Sequence, residues 1–404
     1  MRAILIQPPF TQLNAPYPAV YNLEAFLRGR DIQAAAFDHS IGLYRRIFSR
    51  KGLTKVFFDA REALKKGSRT TCPDQAADAG TTEIQIDRYL SYEPLYIEWI
   101  DSIVDFLSGR DPAMAHRLAS AVELPRGARA EAFLAERNGR IGPDEARSLA
   151  TQILNDFGDF ISYTLDSAFG TVRYAERLAS SRADFGEIRS TLASSWLMNE
   201  FYLPMLEEFW SAQMAGIASA AAGKTSTSGA ASSPGAAIDL VLITIPFPGC
   251  LLGALACAQA VRTAFGETSR PRIVFGGGYV STELRGLRDA GIFDFCDYLS
   301  FDAGYGSLAS IIEREKAPAT ASELYRTMLR RSDGALMVAG FPEGDSARFE
   351  KGPGRILTDS AEEKRFEALE RDAVKGVFPD YQSVDFDDYL RIVDSENPMH
   401  RLWS

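Results

Sequence analysis

The chain has 404 residues and a formal net charge of -10; 46% of its residues are hydrophobic and 24% are charged. A chain of this length can form two or three domains with a sizeable core, and the composition is typical of globular proteins. The acidic balance, with no basic stripe, argues against nucleic acid as a partner, because contact with a phosphate backbone needs a basic face.

The sequence does not predict a membrane protein. Residues 240–261 contain no charge, but Pro246, Pro248, Gly249 and Gly253 interrupt them. A buried strand, a loop and the start of a helix explain this stretch better than a membrane span. The N-terminus is too weakly apolar for a signal peptide, and the four cysteines lack CxxC spacing. Reduced thiols and a cytoplasmic location are therefore expected.

The first fifty residues predict a strand, a loop, a helix and a second strand. Residues 3–7 and 32–37 read as short apolar strands, 8–19 as a proline-rich loop and 21–30 as an amphipathic helix. Two strands joined through a helix at this spacing imply a parallel pair with a right-handed crossover.

A helical insertion then separates this unit from the rest of the sheet. Residues 51–222 contain apolar stripes at helical spacing, as in PLYIEWIDSIVDFLSG. Residues 223–235, GKTSTSGAASSPG, have the composition of a flexible linker. We expect the linker to return the chain from the helices to the sheet.

Alternating strands and helices resume after the linker. Strands are predicted at 238–245, 272–275 and 298–301, and helices at 252–265, 283–290 and 307–313. Together with the first unit, they predict an α/β fold with a doubly wound, five-stranded parallel sheet of the Rossmann or flavodoxin-like type. The sheet domain is then discontinuous, formed by residues 1–50 and 236–320.

Residues 321–404 differ in character from the sheet domain. YRTMLRRSDGALMVAGF predicts a hairpin with Asp333 and Gly334 in its turn. Residues 343–404 are acidic and are expected to be irregular and weakly helical. The abrupt end at Trp403 and Ser404 is the end expected of a fragment.

In an open parallel sheet, ligands bind beyond the carboxyl ends of the strands. The segments predicted there are rich in glycine and proline and nearly bare of charged or nucleophilic side chains. They contain no GxSxG elbow and no P-loop, and the first loop reads PPFTQL instead of GxGxxG. This argues against a hydrolase, a P-loop enzyme and a nicotinamide enzyme. The rim suits a large flat ligand or a long nucleotide tail.

Four segments carry a family resemblance: ILIQPPFTQLNAPYPA, ITIPFPGCLLGAL, FGGGYVSTELRGL and FDAGYGSLASIIE. In this order, at predicted strand ends, they resemble the N-terminal cobalamin-binding domain of B12-dependent radical SAM proteins. The closing PDYQSVDFDDYL and ENPMHRLWS resemble the connector leading into the radical SAM barrel of that family. The resemblance covers residues 1–50 and 236–404.

The resemblance implies base-off cobalamin at the strand ends, with no protein histidine on the cobalt and no metal ligand from this chain. The nucleotide tail of the cofactor would run beside the sheet, with its ribose and base closest to the three consecutive glycines. A strand-to-helix turn needing positive φ angles is the alternative explanation for these glycines. The residues implied to contact the cofactor are Pro8, Pro9, Phe10, Thr11, Gln12, Thr244, Pro246, Phe247, Pro248, Gly249, Gly276, Gly277, Gly278, Tyr279, Asp302 and Gly304.

The sequence departs from the family pattern in the first loop and at Tyr305. The DxHxxG motif, whose histidine replaces the lower axial ligand of cobalt, is missing from the first loop, and His39 in DHSIG follows the second strand. His39 is either near the site or a partly exposed loop residue. Asp302 accepts a hydrogen bond from the cofactor or caps the helix at Ser307. Tyr305 stands where the resemblance would place a glutamate.

A larger departure is the lack of any CxxxCxxC motif for the [4Fe-4S] cluster that cleaves S-adenosylmethionine. The resemblance therefore implies that the cluster and S-adenosylmethionine belong to a radical SAM domain absent from this chain, which is either a fragment that ends before that domain or a natural cofactor-binding remnant. The intact enzyme would perform methyl transfer or related radical chemistry. This chain by itself is not expected to be catalytic.

Two other functions remain open at this point. A flavodoxin-like domain binding FMN or another nucleotide would use the same strand ends, although the two prolines of the first loop remove two N–H donors for phosphate. A non-catalytic interaction or sensor module would instead use the helical insertion to bind a partner.

Overall fold

The computed structural model describes most of the chain. The described residues are 1–67, 79–170, 185–221, 237–266, 270–287, 289–317, 323–340, 355–356 and 361–393. The predicted linker 223–235, Cys72 and the end of the predicted connector, 394–404, lie outside them. Within these ranges, none of the helices is both long and apolar enough to cross a membrane.

The described strands form one mixed sheet in the order β2-β1-β3-β4-β5-β6-β7-β8. Neighbours from β2 to β5 are parallel, and β6 and β7 form an antiparallel hairpin against β5. The strands are Arg2–Gln7 (β1), Gln33–Asp38 (β2), Leu240–Thr244 (β3), Arg272–Gly276 (β4), Tyr298–Ser300 (β5), Thr327–Arg330 (β6), Leu336–Ala339 (β7) and Arg355–Ile356 (β8).

The α/β class and the hairpin are confirmed, whereas the prediction that the sheet has only five strands is wrong. The hairpin adds to the edge of β5, which would otherwise expose unpaired backbone groups, and β8 then pairs with β7. Asp333 and Gly334 form the hairpin turn: Gly334 has a φ of +84°, and the carboxylate of Asp333 accepts the N–H of Ala335 at 3.0 Å.

Helices cover both faces of the sheet. They are Pro18–Arg28 (α1), His39–Ile47 (α2), Arg50–Lys65 (α3), Ala79–Ser91 (α4), Glu93–Ser108 (α5), Met114–Ser120 (α6), Ala128–Ala135 (α7), Ala146–Thr164 (α8), Phe185–Ser194 (α9), Leu203–Ala221 (α10), Leu251–Phe265 (α11), Gly278–Thr282 (α12), Tyr305–Lys316 (α13) and Ala361–Gly376 (α14).

The helices of the insertion share one hydrophobic cluster with a face of the sheet. Ile4, Ile6 and Ile243 on this face belong to the same cluster as Phe57 and Phe157 of the insertion. Strand residues alternate between faces, so the neighbouring residues point the other way. The second cluster contains Ala3, Leu5, Leu242 and Val274, and α1, α13 and α14 pack on it.

One helix prediction is wrong. The sequence predicts a helix at 283–290, but the chain forms α12 immediately after β4 and then short 3-10 turns at Leu284–Gly286 and Ala290–Asp294. Glycine at 286 lowers helix propensity where the predicted helix would continue. The sequence predicts 343–404 to be irregular and weakly helical, and the described part of this region contains α14. This charged helix buries only the narrow stripe of Phe366, Glu370 and Ala373.

Residues 377–393 run from α14 back to the first loop and to the insertion. The N–H of Leu390 donates to the carbonyl of Leu13 at 2.7 Å, and the N–H of Arg391 donates to that of Leu107 at 2.7 Å. The predicted connector is therefore packed on this domain as far as the structure describes it.

Candidate functional site

A cleft of about 380 Å³ opens at the carboxyl ends of the parallel strands, on the face covered by α1 and α13. Chain topology explains its position, because the connection from β1 leads to β2 on one side while β3 lies on the other. Ligands of open α/β sheets bind where the strand order reverses in this way. The lining residues are Leu5, Tyr17, Ala19, Val20, Asn22, Leu23, Leu242, Ile243, Thr244, Val274, Gly276, Gly277, Gly278, Ser300, Asp302, Ala303, Gly304, Tyr305, Leu308, Val374 and Val377.

The floor of the cleft changes from apolar to small and polar toward the strand ends. Leu5, Leu242 and Val274 form its deeper part, and all three are buried. Thr244 and Gly276 are paired in register at the ends of β3 and β4. Small side chains at this level leave open space above the apolar floor, which suits a flat ring with polar substituents at its outer edge.

The three consecutive glycines have different roles. Gly277 has a φ of +107°, and a Cβ there would lie 2.7 Å from the carbonyl oxygen of Ile245. A Cβ on Gly278 would lie 2.9 Å from the carbonyl oxygen of Pro246. The tight strand-to-helix turn therefore requires these two glycines.

Gly276 is not required by the backbone. Its φ is not positive, and a Cβ would meet the carbonyl oxygen of Ser300 at 3.5 Å, an ordinary contact distance. Gly276 shares the cleft face with Val274, two residues earlier on the same strand. The missing side chain at this position keeps the floor of the cleft open.

The first loop lies largely inside the protein. Pro8, Pro9, Phe10 and Thr11 are buried, and none of them lines the cleft. The ring of Phe10 meets that of Phe169 edge to face at 6.1 Å.

Close packing on neighbouring elements holds this loop in place. A Cβ on Gly253 of α11 would lie 2.8 Å from the carbonyl oxygen of Pro9. The N–H of Thr11 donates to the hydroxyl of Ser40 at 2.8 Å. Gln12 is partly exposed and does not line the cleft either.

The loop after β3 forms part of the rim. Phe247 is 43% exposed, and its ring meets that of Tyr17 edge to face at 5.8 Å. Pro248 is partly exposed, whereas Pro246, Gly249 and Tyr279 are buried. Among the predicted site residues, the cleft brings together Thr244, Gly276, Gly277, Gly278, Asp302 and Gly304.

Asp302 lies at the side of the cleft within a cluster of charged residues. Its carboxylate pairs with Arg285 and with Nη1 of Arg326, the latter at 2.9 Å. Its N–H donates to the hydroxyl of Ser281 at 2.8 Å. The alternative role of Asp302 as a helix cap is wrong, because the N-cap of α13 is Gly304, which has no side chain to cap the helix.

His39 is buried away from the cleft. It is 3% exposed, its Nδ1 lies 3.1 Å from the hydroxyl of Tyr202, and its ring packs against those of Tyr202 and Phe209. The expectation of a partly exposed loop histidine is therefore wrong, because the insertion covers the end of β2. Burial lowers the pKa of His39 to about 3.

Most of the residues that line the cleft are not among the predicted site residues. Tyr17 and Tyr305 stand at the starts of α1 and α13, and Ser300 ends β5. A search of strand ends and helix starts could have found these three. Val374 and Val377 come from α14 and the residue after its end, and no local pattern indicates that this segment returns to the cleft.

The polar side chains of the described cleft lining are hydroxyls, the amide of Asn22 and the carboxylate of Asp302. No described group of three or more histidine, cysteine or carboxylate side chains could hold a metal ion. Comparison of the chain with protein-family models, curated proteins and solved structures found no match.

Proposed function

We propose that this protein binds cobalamin, with the base and ribose of the nucleotide tail in the cleft. The observation that carries this proposal is the open floor at Gly276, a position where the protein itself does not require glycine. The ordered motifs at the strand ends, which resemble those of cobalamin-binding domains, support the same assignment.

The residues of the cleft fit such a tail. The dimethylbenzimidazole base is flat and apolar, as are the surfaces offered by Leu5, Leu242 and Val274. The hydroxyls of Thr244 and Ser300 lie at the more polar strand ends, where the polar groups of the tail would be closest to solvent. With its base held in this cleft and away from the cobalt, the cofactor would be bound base-off.

In this proposal the chain places the cofactor and does not itself catalyse a reaction. Cobalamin, when bound, supplies methyl-transfer or radical chemistry, and the resemblance assigns the [4Fe-4S] cluster and S-adenosylmethionine to a separate radical SAM domain. The exposed Phe247 and the partly exposed Pro248 at the rim would face the corrin side of the cofactor.

The cleft is less suited to FMN, the alternative ligand. The first loop is buried, and its prolines lack N–H groups for phosphate. At the start of α13, the N–H of Gly306 already donates to Glu370 at 3.1 Å. An interaction module that uses the helical insertion is the other alternative, and it predicts that the cleft binds neither cofactor.

The test is an absorbance spectrum of the purified chain after incubation with hydroxocobalamin and removal of free cofactor. We expect the wild type to retain a corrin spectrum and Gly276→Leu to lose at least about tenfold in affinity, because the leucine fills the cleft without a backbone clash. Gly216→Leu is the control, since Gly216 lies on the exposed side of α10 with no atom near its Cβ position.

Two results would contradict the proposal. One is a wild-type protein that remains colourless, in which case an FMN titration decides between the two alternatives. The other is an equal cobalamin affinity for Gly276→Leu and wild type. Circular dichroism of each variant shows whether the fold is intact.

A further inference from the structure

The charge of the cleft is set by residues that surround its Asp302 end. Among the described lining residues, Asp302 is the only one with a charged side chain. A ligand in the cleft therefore meets apolar walls, hydroxyls and one carboxylate. None of the described lining residues offers a positively charged side chain to an anionic group of a ligand.

The two guanidinium groups near the cleft are already paired with acids. Arg285 pairs with Oδ1 of Asp302, and Nη1 of Arg326 lies 2.9 Å from Oδ2 of Asp302 and 3.3 Å from Oε1 of Glu370. Two arginines and two acids balance, so the cluster offers no net positive charge to a ligand. Arg285 and Arg326 act as positioning residues that hold Asp302 against the cleft.

Glu370 also fills the start of the adjacent helix. The first N–H groups of a helix have no partner within it and attract anions such as phosphate. In α13, the N–H of Gly306 donates to Oε2 of Glu370 at 3.1 Å, and Glu370 is only 7% exposed. A carboxylate from α14 thus occupies the position beside the cleft where a ligand phosphate would otherwise bind.

We infer that the cleft selects a nucleoside-type group without phosphate, and that Asp302 and Glu370 determine this specificity. Asp302 accepts a hydrogen bond from a ligand hydroxyl or amide, while Glu370 acts as an internal anion that excludes phosphate. The inference rests on the proposed function in taking this cleft as the ligand site. This specificity distinguishes the cleft from the phosphate-binding sites of proteins that bind FMN or other nucleotides.

The test compares two ligands that differ only in phosphate: the ribonucleoside of 5,6-dimethylbenzimidazole and its 5′-monophosphate. In cobalamin the 5′-hydroxyl of this ribose is free and the phosphate is at the 3′ position. The effect of an added 5′-phosphate on the dissociation constant therefore depends on the cleft and not on the position through which the nucleotide is linked to the corrin. Equilibrium dialysis with the full chain gives the ratio of the two dissociation constants.

We expect the wild type to bind the nucleoside at least about tenfold more tightly than the 5′-monophosphate. Asp302→Asn and Glu370→Gln should each reduce this preference to about threefold or less, because each removes a negative charge and leaves a guanidinium less neutralised. Two variants at residues that do not line the cleft are matched controls. Asp372→Asn changes an exposed aspartate on the same helix, and Asp380→Asn changes an aspartate paired with Arg28.

The inference is overturned if the 5′-monophosphate binds as tightly as the nucleoside, if neither binds, or if the control variants change the preference as much as the cleft variants. The hydroxocobalamin spectrum tests the proposed function independently of the preference for the nucleoside. A protein that retains cobalamin but shows no preference refutes only the inference. A protein that shows the preference but retains no cobalamin refutes only the proposed cofactor.

Discussion

The hydroxyl of Tyr389 donates a 2.9 Å hydrogen bond to Oδ2 of Asp38, and it joins the C-terminal segment to the end of β2. The other oxygen, Oδ1, accepts the N–H groups of Ser40 and Ile41 at 2.9 and 3.3 Å and so caps α2. One carboxylate therefore connects a strand end, a helix start and a segment more than 300 residues away in sequence.

Removal of the Tyr389 hydroxyl should destabilise the protein. We expect Tyr389→Phe to lower the free energy of unfolding by about 1.5 to 3 kcal/mol, the range for a hydrogen bond to a charged group. Urea denaturation measures this change. Tyr381→Phe is the control, because Tyr381 is a partly buried tyrosine of the same segment whose ring packs against Tyr21. Equal losses in both variants would contradict the assigned role of the Tyr389–Asp38 bond.

Asp38 makes stability depend on pH in a defined direction. Burial raises its pKa from 3.8 to about 6, although hydrogen bonds from Tyr389, Ile41 and Ser40 oppose the shift. Because the pKa of Asp38 is higher in the folded than in the unfolded state, the contribution of Asp38 to the free energy of unfolding is fully present below pH 4. It is lost as pH rises through 6. The expected loss is about 3 kcal/mol. Urea unfolding at pH 4.5 and 7 should show a smaller difference in Asp38→Asn than in the wild type. An unchanged difference would contradict this prediction.

His39 should act in the opposite direction. Burial lowers its pKa from 6.5 to about 3, and its buried Nε2 has no hydrogen-bond partner. Between these two pKa values the unfolded chain binds a proton at His39 and the folded protein does not. The contribution of His39 to the free energy of unfolding is therefore lost as pH falls from 6.5 to 3. The total is roughly 5 kcal/mol.

Replacing His39 with glutamine tests the predicted loss of stability at acidic pH. Glutamine can still hydrogen-bond Tyr202 but does not titrate, so His39→Gln should be less sensitive than the wild type to acid between pH 6.5 and 4.5 in urea unfolding. His116→Gln is the control, since His116 is exposed in α6. The prediction fails if both variants follow the acid unfolding of the wild type.

Gly277 and Gly276 should differ in their effect on stability when each is changed to alanine. Gly277→Ala should cost about 2 kcal/mol or more, because it combines a positive φ with a Cβ 2.7 Å from the carbonyl oxygen of Ile245. Gly276→Ala should cost less than about 1 kcal/mol, since its Cβ meets only ordinary contacts. Thermal or urea unfolding of the two variants, compared with the wild type, measures both effects. Equal costs would mean that the turn is assigned wrongly.

The sequence by itself was sufficient for the parallel strands and the hairpin. The buried runs AILIQ, IDLVLITI and RIVF have the near-continuous apolar character of strands covered on both faces. The hairpin depends on a two-residue signal, Asp333-Gly334, whose turn geometry is local. Patterns of this kind are readable because the forces that produce them act between near neighbours in the chain.

Only the tertiary structure decided which residues form the cleft. The first loop appeared suited to ligand binding, but its burial depends on contacts with Gly253 and Phe169. Val374 and Val377 reach the cleft because α14, a charged helix with a narrow buried stripe, docks against α13 through Glu370 and Gly306. In the sequence the three consecutive glycines cannot be told apart. The backbone distances show that the turn requires Gly277 and Gly278, whereas Gly276 leaves room for a ligand.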